Sequence, residues 1–270
     1  MTGPVSLLLA AAAAGGSILA IRPGDVVRWP GDESVRECLA AGERFAAHRG
    51  ACWYAVDLET PAGGYELGRV RDGRLETVRV EVSAYPYPEQ RLTVEPGYVE
   101  PSPENAARAA REAERVRALW SRRGERRFTL PLAAPLEPLP AGRAFGRRRV
   151  FNDQPRSPHT GVDFTASVGT PVHSVADGTV ALAEEHFYAG KAVFVDHGDG
   201  LVSMYFHLSE MAVKAGDRVA RGQRLGAVGA TGRVTGAHLH FALRWRGARV
   251  DPMPLLAPGP PVPTVGAPGR

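Results

Sequence analysis

The sequence predicts a mostly β fold: a small Ig-like β-sandwich first, a helical connector, and then a larger antiparallel β-sheet domain. Three observations carry this prediction. Short segments of alternating apolar and polar residues recur along the chain, bounded by Gly, Pro and Asp-Gly turns. A Pro-rich break over residues 95–105 is followed by a stretch of helical periodicity. Of the eight histidines, all but His48 fall beyond that break. With 270 residues, 44% of them hydrophobic and 23% charged, the chain can bury one large core or two ordinary ones.

The opening "MTGPVSLLLAAAAAGG" reads as a secretory leader over residues 1–15, an apolar run followed by small residues. No Lys or Arg precedes the run, so a buried first strand is the alternative; the run is too short to span a bilayer. Residues 16–95 supply the sandwich. "SILAIRPGDVVRW" turns at Pro23-Gly24-Asp25, "ACWYAVDLETPAGGYELGRV" turns between Pro61 and Gly64, and "RLETVRVEVSAY" alternates with a period of two. Cys38 and Cys52 either pair, as an exported protein would allow, or stand as two buried thiols.

Residues 96–127 form the connector. In "SPENAARAAREAERVRALW", Ser102 fits an N-cap, Pro103 the first helical position and Glu104 the positive end of the helix. Ala106, Ala109, Ala110, Ala113, Val116 and Trp120 share one face, which suits a strut lying on a domain surface. The run "RRGERR", Arg122 to Arg127, reads as a solvated end of this linker. From Phe128 to Ala257 strand signals return, with turns at Asp177-Gly178, Asp199-Gly200 and Gly216-Asp217. The Pro/Gly-rich tail, 258–270, is expected to be disordered. A net charge of +4 favours anionic partners such as acidic envelope polymers, but is too weak to indicate nucleic acid.

Three stretches of the C-terminal domain carry chemistry. "GAHLHFAL" places His238 and His240 two apart on a strand, so both project from one face and Leu239 from the other. Burying two imidazoles side by side is costly unless something coordinates or hydrogen-bonds them. "SPHTGVDF" holds His159 and Asp163 four apart, and "SMYFHLSE" holds His207 in an apolar strand. Together they offer three N and O ligands, an open fourth position and nearby proton-transfer groups. That is what a catalytic zinc site requires. The same two-imidazole, one-carboxylate set also suits Fe(II) in an oxygenase.

The order of these motifs, H-x-x-x-D, then Y-x-H-L, then H-x-H, resembles the lysostaphin/LytM-type zinc metallopeptidases of peptidase family M23. "HTGVDFTASVGTPVHSVADGTV", "VFVDHGDGLVSMYFHLS", "VKAGDRVARGQRLGAVGATGRVTGAHLHFAL" and "VDPMPLL" follow that pattern nearly continuously from Gly146 to Leu256. The N-terminal β region and connector resemble, more loosely, the accessory domain of some exported members.

The resemblance implies His159, Asp163 and His240 as ligands to one Zn2+ per chain, and His207 and His238 as catalytic histidines beside it. It implies an exported, monomeric metalloendopeptidase of the periplasm or cell envelope, cutting the peptide cross-links of peptidoglycan, with no nucleic-acid partner and no membrane insertion. The alternative is an envelope module that has lost turnover and activates or recruits another wall hydrolase; the complete set of five residues argues for catalysis. No H-E-x-x-H glutamate is present, so histidine must move the proton. His173 and His197 read as structural. His186 is a candidate for the groove wall, and so are Arg147 to Arg149, where they would meet acidic peptide groups.

Overall fold

The computed structural model describes residues 18–267, so the leader expected over residues 1–15 lies outside the described residues. The first seven strands are β1 (Ala20–Ile21), β2 (Val26–Trp29), β3 (Val35–Ala40), β4 (Glu43–Ala46), β5 (Cys52–Ala55), β6 (Gly63–Arg71) and β7 (Arg74–Val82). They form a five-stranded sheet, β1-β7-β6-β3-β4, facing the β2–β5 ribbon. Alternation gives each strand one inward face. Val27 and Trp29 on β2 and Cys52 and Tyr54 on β5 meet Cys38, Leu67, Val80 and Val82 from the larger sheet. Cys38 and Cys52 are joined by a disulfide, which ties β3 in one sheet to β5 in the other.

Sandwich pairing ends at Val82. Strand β8 (Glu89–Leu92) instead runs parallel to β9 (Arg148–Phe151), which β10 (Gln154–Arg156) flanks on the other side. Pro86 and Pro88 cannot donate to a ladder, and they release the chain from the sandwich towards the second body. A 3-10 turn, Pro96–Tyr98, leads into helix α1 (Pro103–Arg117), whose N-cap Ser102 accepts from the Asn105 amide.

The inward face of α1 differs from the expected alanine stripe. Ala106, Ala110 and Ala113 are exposed, and the buried helical residue is Glu112. Its carboxylate accepts from the Phe187 amide (2.9 Å) and the Arg108 guanidinium (2.7 Å). Alanine offers little area to bury, so polar contacts set the rotation of the helix. Leu119, just beyond the helix, supplies the apolar anchor. The arginine run is not free in solvent either. Arg126 is largely buried, lies 4.0 Å over the Phe128 ring and pairs with Asp199.

From Phe128 to Gly146 the chain is irregular rather than stranded, although Leu132, Leu136 and Phe145 are buried. The remaining strands are β11 (Val162–Phe164), β12 (Pro171–His173), β13 (Gly178–His186), β14 (Gly190–Asp196), β15 (Leu201–Met211), β16 (Arg218–Val219), β17 (Arg224–Val228), β18 (Leu239–Trp245) and β19 (Ala248–Val250). They make one sheet, β11-β18-β15-β14-β13-β16, with β17 also on β15, β12 on β17 and β19 on β18. The β14–β15 turn passes through Asp199 and Gly200 at φ 48° and 70°, the left-handed pair such hairpins need.

Odd-numbered residues of β14, β15 and β18 (Val193, Val195, Leu201, Tyr205, Phe241, Leu243, Trp245) fill the main core. Even-numbered ones (Ala192, Phe194, Val202, Met204, Ala242) face Leu119. The two bodies are joined by Arg249, whose guanidinium holds Asp57 and Glu59 at 2.6 Å each.

The tail is a further correction. Through residue 267 it is laid down rather than disordered: the Arg28 amide donates to the Pro263 carbonyl, the Val265 amide donates to the Arg28 carbonyl, and Val262 and Val265 pack against the two cores. Proline lacks an N–H but keeps its carbonyl, so alternating Pro and Val residues can still pair on one edge.

Candidate active site

The helix-facing side of the large sheet continues beyond α1 into a groove of about 580 Å3. Three neighbouring strands build its floor. In the β11–β18 ladder Asp163 sits directly opposite His240, and in the β15–β18 ladder Phe206 does. The Phe206 ring stacks on the His240 imidazole with 9° between planes, fixing its orientation. His159 enters from the loop before β11. Gly161, between the two motif residues, has no room for a Cβ, which would lie 2.5 Å from the Phe241 carbonyl and 2.8 Å from His240 Nε2.

His159 Nε2, His240 Nδ1 and Asp163 Oδ1 converge, with separations of 2.8 Å between the imidazoles and 3.1 Å and 2.9 Å to the carboxylate. Among the described residues these form the cluster whose ligand atoms could hold a metal ion. The donor set fits zinc. His159 Nδ1 lies 2.9 Å from the Ala144 carbonyl, to which it can donate, and this leaves the Nε2 lone pair for a metal. Burial lowers both His159, to about 4, and His240, so both are neutral at pH 7. Burial alone would raise the Asp163 carboxyl, but the His159 and His240 imidazoles set against it outweigh burial and hold the group ionised. Lone pairs and one negative charge gathered this closely call for a cation between them.

His207 reaches the same place by a local irregularity. By strict alternation it would point into the core, opposite Phe206. The β14–β15 register shifts between the pairs Lys191↔Leu208 and Val193↔Tyr205, and His207 takes φ 66°. This bulge turns consecutive residues, Phe206 and His207, onto the groove side before Leu208 returns to the core. His207 Nδ1 faces the Thr231 carbonyl at 2.9 Å and His238 Nδ1 the Gly236 carbonyl at 2.8 Å. In those tautomers each presents a bare Nε2. His238 Nε2 lies 3.7 Å from Asp163 Oδ1, and the His207 and His238 rings are 4.9 Å apart. Burial, with the neighbouring His240 and His238, pushes His207 down to about 3.

The other histidines and the arginine run divide. His186 does not line the groove; it is buried against Phe194 and bonded to Glu184, because the end of β13 turns towards α1. His197 is buried between the Asp177 carbonyl and Ser203. Of the Arg147–Arg149 run, Arg149 lines the groove, whereas Arg148 lies over Tyr85. Arg156, Tyr188 and Arg233 also line it, and nothing in their local sequence marked them. Their neighbours in space are far apart along the chain, so pairing topology alone brings them together.

A two-histidine, one-carboxylate cluster on an antiparallel sheet, beside a groove and two further imidazoles, is an arrangement that suits a metallohydrolase. The model of Peptidase family M23 matches residues 157–252. A Pseudomonas aeruginosa crystal structure assigned to peptidase M23 superposes with a TM-score of 0.66 at 30% identity, covering 86% of this chain and 93% of that one. The chain belongs to peptidase family M23. Among curated relatives, a Vibrio cholerae peptidoglycan DD-endopeptidase, ShyA, is 48% identical over 97 residues, 36% of this chain and 23% of the relative. A Neisseria meningitidis DD-carboxypeptidase/endopeptidase, Mpg, is 40% identical over 102 residues, 38% of this chain and 24% of the relative. The chain thus matches about a quarter of the length of these curated relatives.

Proposed function

We propose that this protein is a zinc metalloendopeptidase that hydrolyses peptide cross-links of bacterial peptidoglycan in the cell envelope. The observation that carries the reading is the convergence of His159, Asp163 and His240 beside two imidazoles with free Nε2 atoms, at the floor of one groove. His159, Asp163 and His240 would hold the ion. Zinc in that place supplies Lewis acidity towards a peptide carbonyl and lowers the pKa of a nearby water to about 7.

The rest is done by the chain. The Thr231 and Gly236 carbonyls keep His207 and His238 in tautomers that accept at Nε2. One of them takes the proton of the attacking water and the resulting imidazolium returns it to the leaving amine. His238, with 19% of its side chain exposed, is the more accessible proton carrier. His207, held neutral by burial, loses an acquired proton readily. The relatives' names supply the substrate class. The Cys38–Cys52 disulfide supports an oxidising compartment and hence export, and no helix among the described residues is long and apolar enough to cross a membrane. Purified protein with zinc should release soluble peptides from peptidoglycan sacculi, and chelation should stop it. Release that continues after complete metal removal, or no release with any divalent metal, would overturn the reading.

A further inference from the structure

The groove walls carry Arg149, Arg156 and Arg233 and no carboxylate. Arginines elsewhere in this protein commonly sit on an acid, as Arg249 does on Asp57 and Arg246 on Asp199. In the groove set only Arg149 contacts one. Arg149 reaches Asp163 at 3.5 Å, a carboxylate already committed to the histidine cluster, and its buried Nε has no partner. Arg156 donates to the Val99 carbonyl and to Gln154, both uncharged. The Arg233 guanidinium lies 4.7 Å over the Phe151 ring and 4.5 Å over the Tyr188 ring; the charged groups acting on it are the other two arginines. Burial and the charge of Arg149 pull Arg233 down to about 10, the direction expected of cations gathered without an anion.

Crowding three guanidiniums in a partly dry groove is unfavourable unless an anion joins them. The aromatic rings hold the Arg233 plane fixed while its N–H edges remain available, the arrangement that suits a planar, two-oxygen acceptor. His159, His207 and His240 line the same groove. We infer that Arg233, with Arg149 and Arg156, forms a subsite for a free carboxylate on the peptide substrate, so that the enzyme selects stem peptides carrying an underivatised acid next to the scissile bond. This rests on the peptidase reading above.

The test uses the full chain loaded with zinc and two cross-linked peptide dimers identical except that one carries a carboxylate, the other a carboxamide, beside the scissile bond. Wild type should cleave the acid form with kcat/KM about 10-fold or more above the amide, the range of charge-assisted hydrogen bonds. Arg233→Gln should shrink that ratio below about 3 at unchanged zinc content, mostly through KM, and Arg233→Lys should restore it partly because an ammonium lacks the planar fork. Arg156→Gln should lower the ratio too and serves if the Arg233 variants fold poorly. Equal cleavage of both dimers by wild type would overturn the subsite and leave the peptidase standing, as would a full ratio retained in Arg233→Gln and Arg156→Gln. Cleavage of neither dimer would remove both.

Discussion

The two bodies of this molecule use burial differently. The sandwich buries an almost wholly apolar set around Tyr54 and Leu67, and a disulfide crosses between its sheets. The large sheet has the bigger apolar core, with Trp245, Tyr205, Phe164 and Phe241 fully buried, and it also buries His159, His197, His207 and His240. Polar burial lowers stability unless each group finds a partner. A small core needs a covalent staple, whereas a large one can carry a polar constellation. On this view function sits in the body that has stability to spare.

The sharpest way to break the comparison is to empty the constellation. His240→Ala should lose bound zinc and about 1,000-fold or more in activity. His238→Ala should keep zinc and lose roughly 100- to 10,000-fold, as expected for a proton-transfer group. Metal analysis paired with kinetics checks both, and equal zinc loss in the two variants would refute this division of labour. Next in size is the staple. Cys38→Ala with Cys52→Ala should lower unfolding stability by about 3 kcal/mol, the amount expected for a loop of this length, with zinc content unchanged.

A pH effect of similar size belongs to the large sheet. Burial lowers His197 to about 4, so as pH falls from about 6.5 towards 4 the unfolded chain takes up a proton that the folded chain refuses. Stability present at pH 7 is therefore lost across that window. His197→Gln should spare on the order of 3 kcal/mol of the loss, read by denaturant unfolding at pH 7 and pH 4. The smallest expected effect is on the strut. Ser102→Ala removes the cap on the Asn105 amide and should cost about 1 kcal/mol, with little change in catalysis.

Much of the fold was legible because strand alternation and Asp-Gly turns are local signals, and they set which residues of β14, β15 and β18 face inward. The five candidate residues stood out because paired histidines on a strand are hard to explain otherwise, and the structure brings all five side chains close together, with His159, His207 and His240 lining the groove. What escaped was non-local. The rotation of α1 follows from Glu112 meeting the Phe187 amide, a partner 75 positions away. Arg126 is buried because Phe128 and Trp245 receive it. The tail is held by an edge of β2 that no composition rule anticipates. Arg233 is held at the groove by Phe151 and Tyr188, on segments far from it along the chain.

The extra residue at Phe206–His207 has a consequence for anyone shortening or shuffling this strand. Because a ladder repeats every two residues, the inserted position acts as a phase change, letting residues on both sides of it bury into one interior. Trimming a single amino acid there would restore a regular pleat with Tyr205 and Leu208 still inward, and would leave one groove-facing position where two now stand, so that Phe206 and His207 could no longer both reach the site. The chemistry of this surface is thus tied to a count of residues as firmly as to their identities.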